Sequence, residues 1–196
     1  MEERDKKRPA PEAVQRGAEF RLSLLGALLV AGTMAATARA ERGPFIQLEE
    51  GNRVRLAALG FTYPGWRDLA HGASWRVDTL WQARVAYWRA EHSDSNERDL
   101  WEVGLVPTVR LAATAASGFT PFLDAGIGAH LLSRTRIDNR LLGTAFQFGE
   151  HVALGTQLGP HREYSLALRA EHISNGRIKR PNDGMTFFGV HFQASW

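Results

Sequence analysis

From about residue 44 onward, apolar and polar residues alternate at successive positions, in one run after another. Side chains at i and i+2 of a β-strand project from the same face, so this alternation predicts strands with one apolar and one polar face. Turn-forming pairs such as Gly51-Asn52, Ser117-Gly118 and Gly159-Pro160 separate the runs. The pattern predicts eight strands, at about 44–50, 52–63, 76–91, 99–114, 119–133, 143–158, 162–174 and 184–196.

The polar faces of these strands hold charges of both signs. A water-soluble barrel of the lipocalin kind also has eight strands, but it turns its apolar face inward. A charged interior requires the charges to pair, because an unpaired buried charge is costly. We therefore expect a structural plug of salt bridges inside a barrel, with glycines 126, 128, 149 and 155 relieving crowding and His151 and His191 facing inward. The expected plug residues are Asp78, Arg84, Glu102, Arg110, Asp124, Arg169 and Glu171.

The final run ends on an aromatic residue, Trp196, at the end of an apolar stripe that begins near Thr186. This is typical of the last strand of a bacterial outer-membrane barrel, although an ordinary amphipathic edge strand has a similar pattern. Together the runs favour an all-β fold, an eight-stranded antiparallel transmembrane β-barrel. Tryptophans 81, 88, 101 and 196 are expected in the aromatic girdles at the membrane interfaces.

The N-terminal 40 residues have a different character from the rest of the chain. A long charged leader precedes a short apolar run from Leu22 to Met34, and the stretch ends in Ala38-Arg39-Ala40. A basic flank, a short apolar run and a small-x-small end predict a signal peptide over 1–40 that is cleaved after Ala40; an N-terminal anchor helix is the alternative. The mature part, 41–196, is then a single outer-membrane β-barrel domain.

Composition narrows the possible functions. The chain has no cysteine, which excludes disulfides and thiol chemistry. The pI of about 9.7 overstates its basic character, because acidic and basic residues nearly balance in 41–196. No basic patch with interleaved aromatic residues occurs, so nucleic acid is not an expected partner. No His/carboxylate spacing repeats, so neither a metal nor a cofactor is expected.

Candidate chemistry lies at the end of the seventh predicted strand, where His172 and Ser174 are two residues apart. Strand geometry places them on one face, with Cα atoms about 6.5–7 Å apart. They continue the apolar stripe formed by Leu166, Leu168 and Ala170. A hydroxyl beside an imidazole is a potential nucleophile and base.

The run His172-Ile173-Ser174-Asn175, followed after a basic loop by Pro181-Asn182-Asp183-Gly184, resembles the outer-membrane lipid A 3-O-deacylases of the PagL type. The segment 121–128 also resembles that family, and the similarity extends over nearly all of 41–196. The resemblance implies a barrel whose serine and histidine face the bilayer and remove the ester-linked acyl chain at position 3 of lipid A. It implies lipopolysaccharide as the substrate and outer-membrane lipids as the surroundings, and leaves the oligomeric state open.

One position departs from the family pattern. The family has a glutamate two residues after the glycine of the Asn-Asp-Gly motif, where it orients the histidine, and this chain has Thr186 there. A threonine hydroxyl accepts a hydrogen bond from an imidazole but does not stabilise an imidazolium as a carboxylate does. Asp183 is a candidate substitute carboxylate, if the loop turns it outward, whereas Glu171 is expected to point into the barrel.

The expected reaction is ester hydrolysis, in which His172 accepts the proton of Ser174 and a serine ester forms and is hydrolysed. Candidate oxyanion donors are the Asn182 side chain and the backbone N–H groups of Asn175 and Gly176. A neighbouring basic cluster either binds lipid A phosphates or meets anionic headgroups without specificity. That cluster consists of Arg177, Lys179 and Arg180.

An even number of strands places both ends of the barrel in the periplasm. We expect the 175–183 loop outside, beside lipid A, and the 64–75 and 134–142 segments on the periplasmic side. Three functions from different classes remain open: a lipid A 3-O-deacylase, a catalytically impaired relative because of Thr186, or a non-enzymatic structural or adhesive barrel.

Overall fold

The computed structural model describes residues 41–91, 97–114 and 119–196. The predicted signal peptide and the predicted turn at Ser117-Gly118 lie outside these residues. Eight long strands form the barrel: β1 (Gly43–Gly51), β2 (Val54–Pro64), β4 (Trp75–Ala90), β5 (Asp99–Ala113), β6 (Phe119–Leu132), β9 (Phe146–Leu158), β10 (Tyr164–Ser174) and β11 (Met185–Ala194). Three short strands are β3 (Ala70–His71), β7 (Arg136–Ile137) and β8 (Arg140–Leu141).

Each long strand pairs antiparallel with its neighbour in the chain, and β1 also pairs with β11. The sheet therefore closes on itself without a free edge. This confirms the predicted eight-stranded antiparallel barrel. Within the described ranges, no helix is long and apolar enough to span a membrane.

Most of the long strands turn their more apolar face to the outside. Leu168 and Phe188 are 68% and 64% exposed, whereas their strand neighbours Arg169 and Phe187 are buried. Burial alternates with a period of two along β5 and β10. The predicted division into an outer apolar face and an inner polar face is therefore confirmed for most strands. It is wrong for β2, where Val54, Leu56 and Ala58 face inward and are buried while Arg55 is exposed.

A salt-bridge network fills the middle of the barrel. Arg84 donates to Glu102 at 2.8 Å and to Glu171 at 2.7 Å, and Arg169 donates to Glu171 at 2.9 Å. His130 contacts the same Glu102 carboxylate at 2.7 Å. The two histidines that were predicted to face inward, His151 and His191, are also buried.

A second group of charges lies nearer the end of the barrel that has Glu41 and Trp196. Arg110 forms a two-point pair with Asp124, with bonds of 2.8 and 2.7 Å. Arg76 bridges Asp78 and Glu41. All seven predicted plug residues thus have ion-pair partners, which confirms the expected plug of salt bridges.

Glycines make room for the larger interior side chains, as predicted. A Cβ atom at Gly149 would collide with the His130 ring, and one at Gly126 would lie 2.5 Å from the His151 ring. At Gly155 it would lie 2.5 Å from the ring of Phe122. At these three glycines the interior side chains are therefore packed directly against the backbone of the barrel wall.

The interior is apolar at the other end of the barrel, opposite Glu41 and Trp196. It is filled by buried side chains that include Ile173, Met185, Phe187 and Leu142. Trp88 belongs to this apolar cap: its ring packs on Phe187 and its Nε1–H donates to Glu102 at 2.7 Å. The prediction that Trp88 lies in an interfacial girdle is wrong, because it shares the inward parity of Arg84 and Ala86 on β4. Trp81 and Trp101 do face outward.

The prediction for the 134–142 segment is also wrong. It follows the fifth barrel strand, and strand alternation places it at the same end as the loop between β10 and β11. Direct contacts agree, since the Asp183 N–H donates to the Leu141 carbonyl at 3.0 Å. The long segments 133–145 and 175–184 therefore lie together at the end of the barrel opposite Glu41 and Trp196. In outer-membrane barrels the longer loops lie together on the outer side of the membrane.

Candidate active site on the outer wall of the barrel

The site begins with the pairing of β10 and β11, which sets His172 directly opposite Thr186. The His172 Nδ1 and Thr186 Oγ1 atoms are 2.9 Å apart, and both side chains are half-buried on the outer wall. The backbone N–H of Thr186 donates to the Asn52 side chain in the β1–β2 turn at 3.2 Å. Strands β10 and β11 and the β1–β2 turn therefore hold this hydrogen bond in place.

Ser174 is the last residue of β10 and lies on the same outward face, opposite Phe148 of β9. Between the two polar residues, Ile173 points inward and is completely buried in the apolar cap. Its backbone pairs with that of Met185, whose side chain lies in the same cap. The cap thus anchors the backbone that presents His172 and Ser174 to the outside.

The loop after Ser174 is held by Asn175, which is completely buried. Its side-chain amide donates to the carbonyls of Leu142 and Lys179, at 2.9 and 2.8 Å. Its backbone N–H donates to the Asn182 side-chain oxygen at 3.1 Å. Of the three candidate oxyanion donors, the Asn175 N–H is therefore already engaged, while Gly176 is exposed at the start of the loop.

Asp183 contacts the short β7–β8 hairpin. Its carboxylate accepts a hydrogen bond from the Leu141 N–H at 2.7 Å. The structure therefore brings Thr186 to His172 Nδ1 and leaves Asp183 bound to the hairpin. The next residue, Gly184, has φ +59°, and a Cβ atom there would lie 3.0 Å from His172 Cε1. A side chain at this position would be strained and would press on the imidazole.

The three predicted phosphate-binding candidates, Arg177, Lys179 and Arg180, are all exposed on this loop. Arg140, from the hairpin, also approaches, with its guanidinium 3.4 Å from the Gly184 carbonyl. The sequence pattern did not indicate Arg140, because the hairpin is brought to the site only by the fold. The loop and the hairpin thus bring four cationic side chains to the end of the barrel at which β10 stops.

Directly below His172, the outer wall has an apolar groove of about 560 Å³. Ala170 is a small residue between Phe188 on one side and Val152 on the other, and it leaves the depression open. The groove continues between Leu154, Leu168 and Val190, away from Ser174. A groove of this size and apolar lining can accommodate a hydrocarbon chain.

A charged residue that the sequence pattern did not single out also faces the site. Glu150 of β9 lies directly opposite His172 in the β9–β10 pair, and it is exposed. Directly opposed residues of an antiparallel pair share a face, with Cβ atoms about 4.5–5.5 Å apart. Alternation alone places Glu150 on the outer face, but only the register brings it to His172. In the described ranges, no three His, Cys, Asp or Glu side chains form a metal-binding group.

A closed eight-stranded barrel with an apolar outer wall and a charged, filled interior is the fold of a bacterial outer-membrane protein. The family model described as "Lipid A 3-O-deacylase (PagL)" matches residues 55–195. The chain therefore belongs to the PagL family of lipid A 3-O-deacylases, and its location is the bacterial outer membrane.

Individual relatives agree with this assignment. The chain is 32% identical over 136 residues to "Lipid A deacylase PagL" of Bordetella bronchiseptica, covering 69% of this chain and 72% of that protein. It is 27% identical over 172 residues to the protein of the same name from Pseudomonas aeruginosa, covering 88% and 93%. The solved structure "Crystal structure of the outer membrane enzyme PagL" superposes with a TM-score of 0.66 at 22% identity, covering 78% of this chain and 99% of that chain, and supports the fold.

Proposed function

We propose that this protein removes the ester-linked acyl chain at position 3 of lipid A, with Ser174 as nucleophile and His172 as general base. The observation that carries the proposal is the outward position of both residues on one strand, with His172 Nδ1 held by Thr186 above an apolar groove. Family membership names the substrate, and the lipid-facing site suits a substrate that never leaves the membrane.

The contact with Thr186 accommodates the useful tautomer of His172. When Nδ1–H donates to the Thr186 oxygen, Nε2 has no proton and accepts the one from the Ser174 hydroxyl. The Ser174 oxygen then attacks the acyl carbonyl and forms a tetrahedral intermediate. As this collapses, His172 returns the proton to the departing 3-hydroxyl oxygen of the sugar, and the acyl chain stays on Ser174 as an ester.

Water completes the reaction. His172 accepts a proton from water, whose oxygen attacks the serine ester; the fatty acid leaves and Ser174 regains its proton. The oxyanion in both steps needs donors, for which the Gly176 N–H and the Asn182 amide remain the candidates. The engaged Asn175 N–H serves instead to fix the loop.

The remaining surfaces match the two parts of lipid A. The groove that includes Ala170 and Phe188 accommodates the acyl chain that is cleaved. Arg177, Lys179 and Arg180 stand at the polar end, where lipid A has its phosphates, and charge-assisted hydrogen bonds would orient the sugar.

Mass spectrometry of lipid A tests the proposal. Outer membranes that contain this protein should yield lipid A lighter by one 3-hydroxyacyl group, and Ser174→Ala or His172→Ala should abolish the change. A gel assay in which the folded barrel migrates faster than the heated one verifies that each variant is folded. Lipid A of unchanged mass beside a folded wild-type barrel contradicts the proposal.

A second candidate, a catalytically impaired relative, is favoured by one observation: a threonine hydroxyl contacts His172 where the family has a carboxylate. In that case wild-type membranes keep intact lipid A, and Thr186→Glu creates the deacylase activity. If both the wild type and Thr186→Glu leave lipid A intact, the non-enzymatic barrel is the better account.

A further inference from the structure

The proposed reaction leaves one charge without a partner. Each step makes His172 a cation for a short time, and a neighbouring carboxylate normally stabilises that form. The residue bonded to Nδ1 is Thr186, which has no charge. Glu171, the neighbour of His172 in sequence, points into the barrel and is bonded to Arg84, and Asp183 is bonded to the Leu141 N–H. Another negative charge near the imidazole would fill this gap.

Glu150 is placed to do so. It faces His172 from β9, while Thr186 faces the same residue from β11, so the imidazole stands between the two. Ser174 is the diagonal neighbour of Glu150, since its direct partner on β9 is Phe148. Such cross-strand neighbours are within reach of a glutamate side chain.

The position of Glu150 on the wall also needs an explanation. The other charged outward residues of the eight barrel strands lie at a strand end or next to one: Glu50, Arg55, Arg89 and Asp99. Glu150 lies further inside its strand, below two outward aromatic residues, Phe146 and Phe148. A charge on the lipid-facing wall is destabilising. The destabilising charge of Glu150 at this depth is explained if it interacts with a cation.

No cation of the described strands and loops meets it permanently. Outer-surface ion pairs join Arg55 to Glu50 and Glu91, and Arg134 to Asp99, and among the described residues none includes Glu150. The residues directly opposite it are Ile127 on β6, which has no charge, and His172 on β10. The natural counter-ion of Glu150 is therefore the imidazolium that exists only during the reaction.

We propose that Glu150 is the positioning residue whose negative charge stabilises protonated His172 during ester cleavage, while Thr186 holds the imidazole ring. Thr186 orients the ring through its hydrogen bond to Nδ1, and Glu150 supplies the charge from the opposite side. The inference rests on the proposed deacylase function. In this protein the carboxylate that stabilises the imidazolium is then on β9, whereas the family has it on β11.

Steady-state kinetics with purified protein and lipid A in mixed micelles tests the assignment. Glu150→Gln should lower kcat about 10- to 100-fold with little change in KM, because one unit charge near the imidazolium is lost. Glu150→Asp, which keeps the charge, should retain more activity than Glu150→Gln. The matched control is Asp99→Asn, which removes a carboxylate from the outer wall at the start of β5 and should keep wild-type kcat.

A second variant separates the charge from a packing role. Thr186→Glu in the Glu150→Gln background puts a carboxylate at Nδ1 and should restore kcat to within a few-fold of wild type. If Glu150 only contributed to packing on the outer wall, a carboxylate on the other side of the imidazole ring would not restore kcat.

The inference is overturned if folded Glu150→Gln keeps wild-type kcat, if Asp99→Asn loses as much, or if Thr186→Glu fails to restore the activity. These results presuppose an active wild type. A folded wild type that releases no fatty acid overturns the proposed function itself, and with it the role of Glu150.

Discussion

At the scale of single residues, the contact between His172 and Thr186 is the feature on which the chemistry depends. The 2.9 Å hydrogen bond fixes the imidazole without any charge. A neutral hydrogen bond of this kind contributes about 0.5–1.5 kcal/mol, which corresponds to a change in rate of up to about tenfold. Its removal should therefore weaken catalysis without abolishing it.

Thr186→Val removes the hydroxyl and keeps the shape of the side chain. We predict that kcat for lipid A falls about 5- to 10-fold while the barrel stays folded. Thr156→Val on the same outer wall, whose hydroxyl bonds the Gln157 carbonyl, is the matched control and should keep its activity. A Thr186→Val enzyme as fast as the wild type would mean that His172 needs no orienting partner.

Sequence reasoning reached His172, Ser174 and Thr186, because alternation within one strand determines which residues share a face. It did not reach Glu150, although the same rule places that residue outside. Which residue of β9 stands beside His172 depends on the register between two strands, and the hydrogen bonds of the sheet and the length of the connecting turn decide it. Contacts across strands are therefore the part of the site that alternation leaves open.

At the scale of elements, β10 and β11 combine two functions on their outer face. Next to the 175–184 loop these strands present His172 and Thr186. Their middle parts line the apolar groove through Ala170 and Phe188. A fatty acyl chain in this groove would bury methylene groups at about 0.8 kcal/mol each. The groove should therefore influence substrate binding more than the chemical step.

Ala170→Phe should fill the groove below His172. We predict that kcat/KM for lipid A with a long 3-acyl chain falls about tenfold or more, while a substrate with a short 3-acyl chain is affected less. Ala57→Phe, an outward alanine of β2 away from the groove, is the control. If both substrates lose activity equally, the acyl chain does not lie where we place it.

Strand positions followed the sequence pattern closely, as in β10, predicted at 162–174 and observed at Tyr164–Ser174. The β7–β8 hairpin was missed, because its two-residue strands are too short for a period of two to be visible. Its Ile137 and Leu142 are nevertheless completely buried in the apolar cap. Short segments that are ordered by tertiary contacts have no signal of their own in the pattern.

At the scale of the whole molecule, the barrel depends on buried charges that satisfy each other. Arg84 neutralises both Glu102 and Glu171 in a region where all three side chains are almost fully buried. Removing one partner from such a network is costly, because the charges left behind are not compensated.

Arg84→Met should lower the free energy of unfolding by about 3–5 kcal/mol. Arg55→Met, which removes a surface arginine with a 70% exposed side chain, should cost no more than about 1 kcal/mol. Urea unfolding of the barrel in lipid vesicles, followed by tryptophan fluorescence, measures both. Equal losses for the two variants would show that the interior network is not a main source of stability.

The closed barrel and its charged interior were predictable, because most strands repeat the same pattern of one apolar and one polar face. The assignment of the 134–142 segment to the periplasmic side was not correct, although the order of the strands already contained the answer. Five barrel strands precede that segment, so it lies at the end that also has the 175–184 loop. The structure makes this plain through the contacts of Leu141 and Leu142 with Asp183 and Asn175.

The central claim is that Ser174, on the lipid-facing wall, is the nucleophile. An alkyl fluorophosphonate, which reacts with activated serines, tests it directly when membranes that contain the folded protein are labelled and the adduct is mapped by peptide mass spectrometry. The account predicts one adduct, on Ser174, that is lost in His172→Ala and whose formation stops lipid A deacylation in proportion. Continued deacylation by protein fully labelled at Ser174, or by Ser174→Ala, would contradict it.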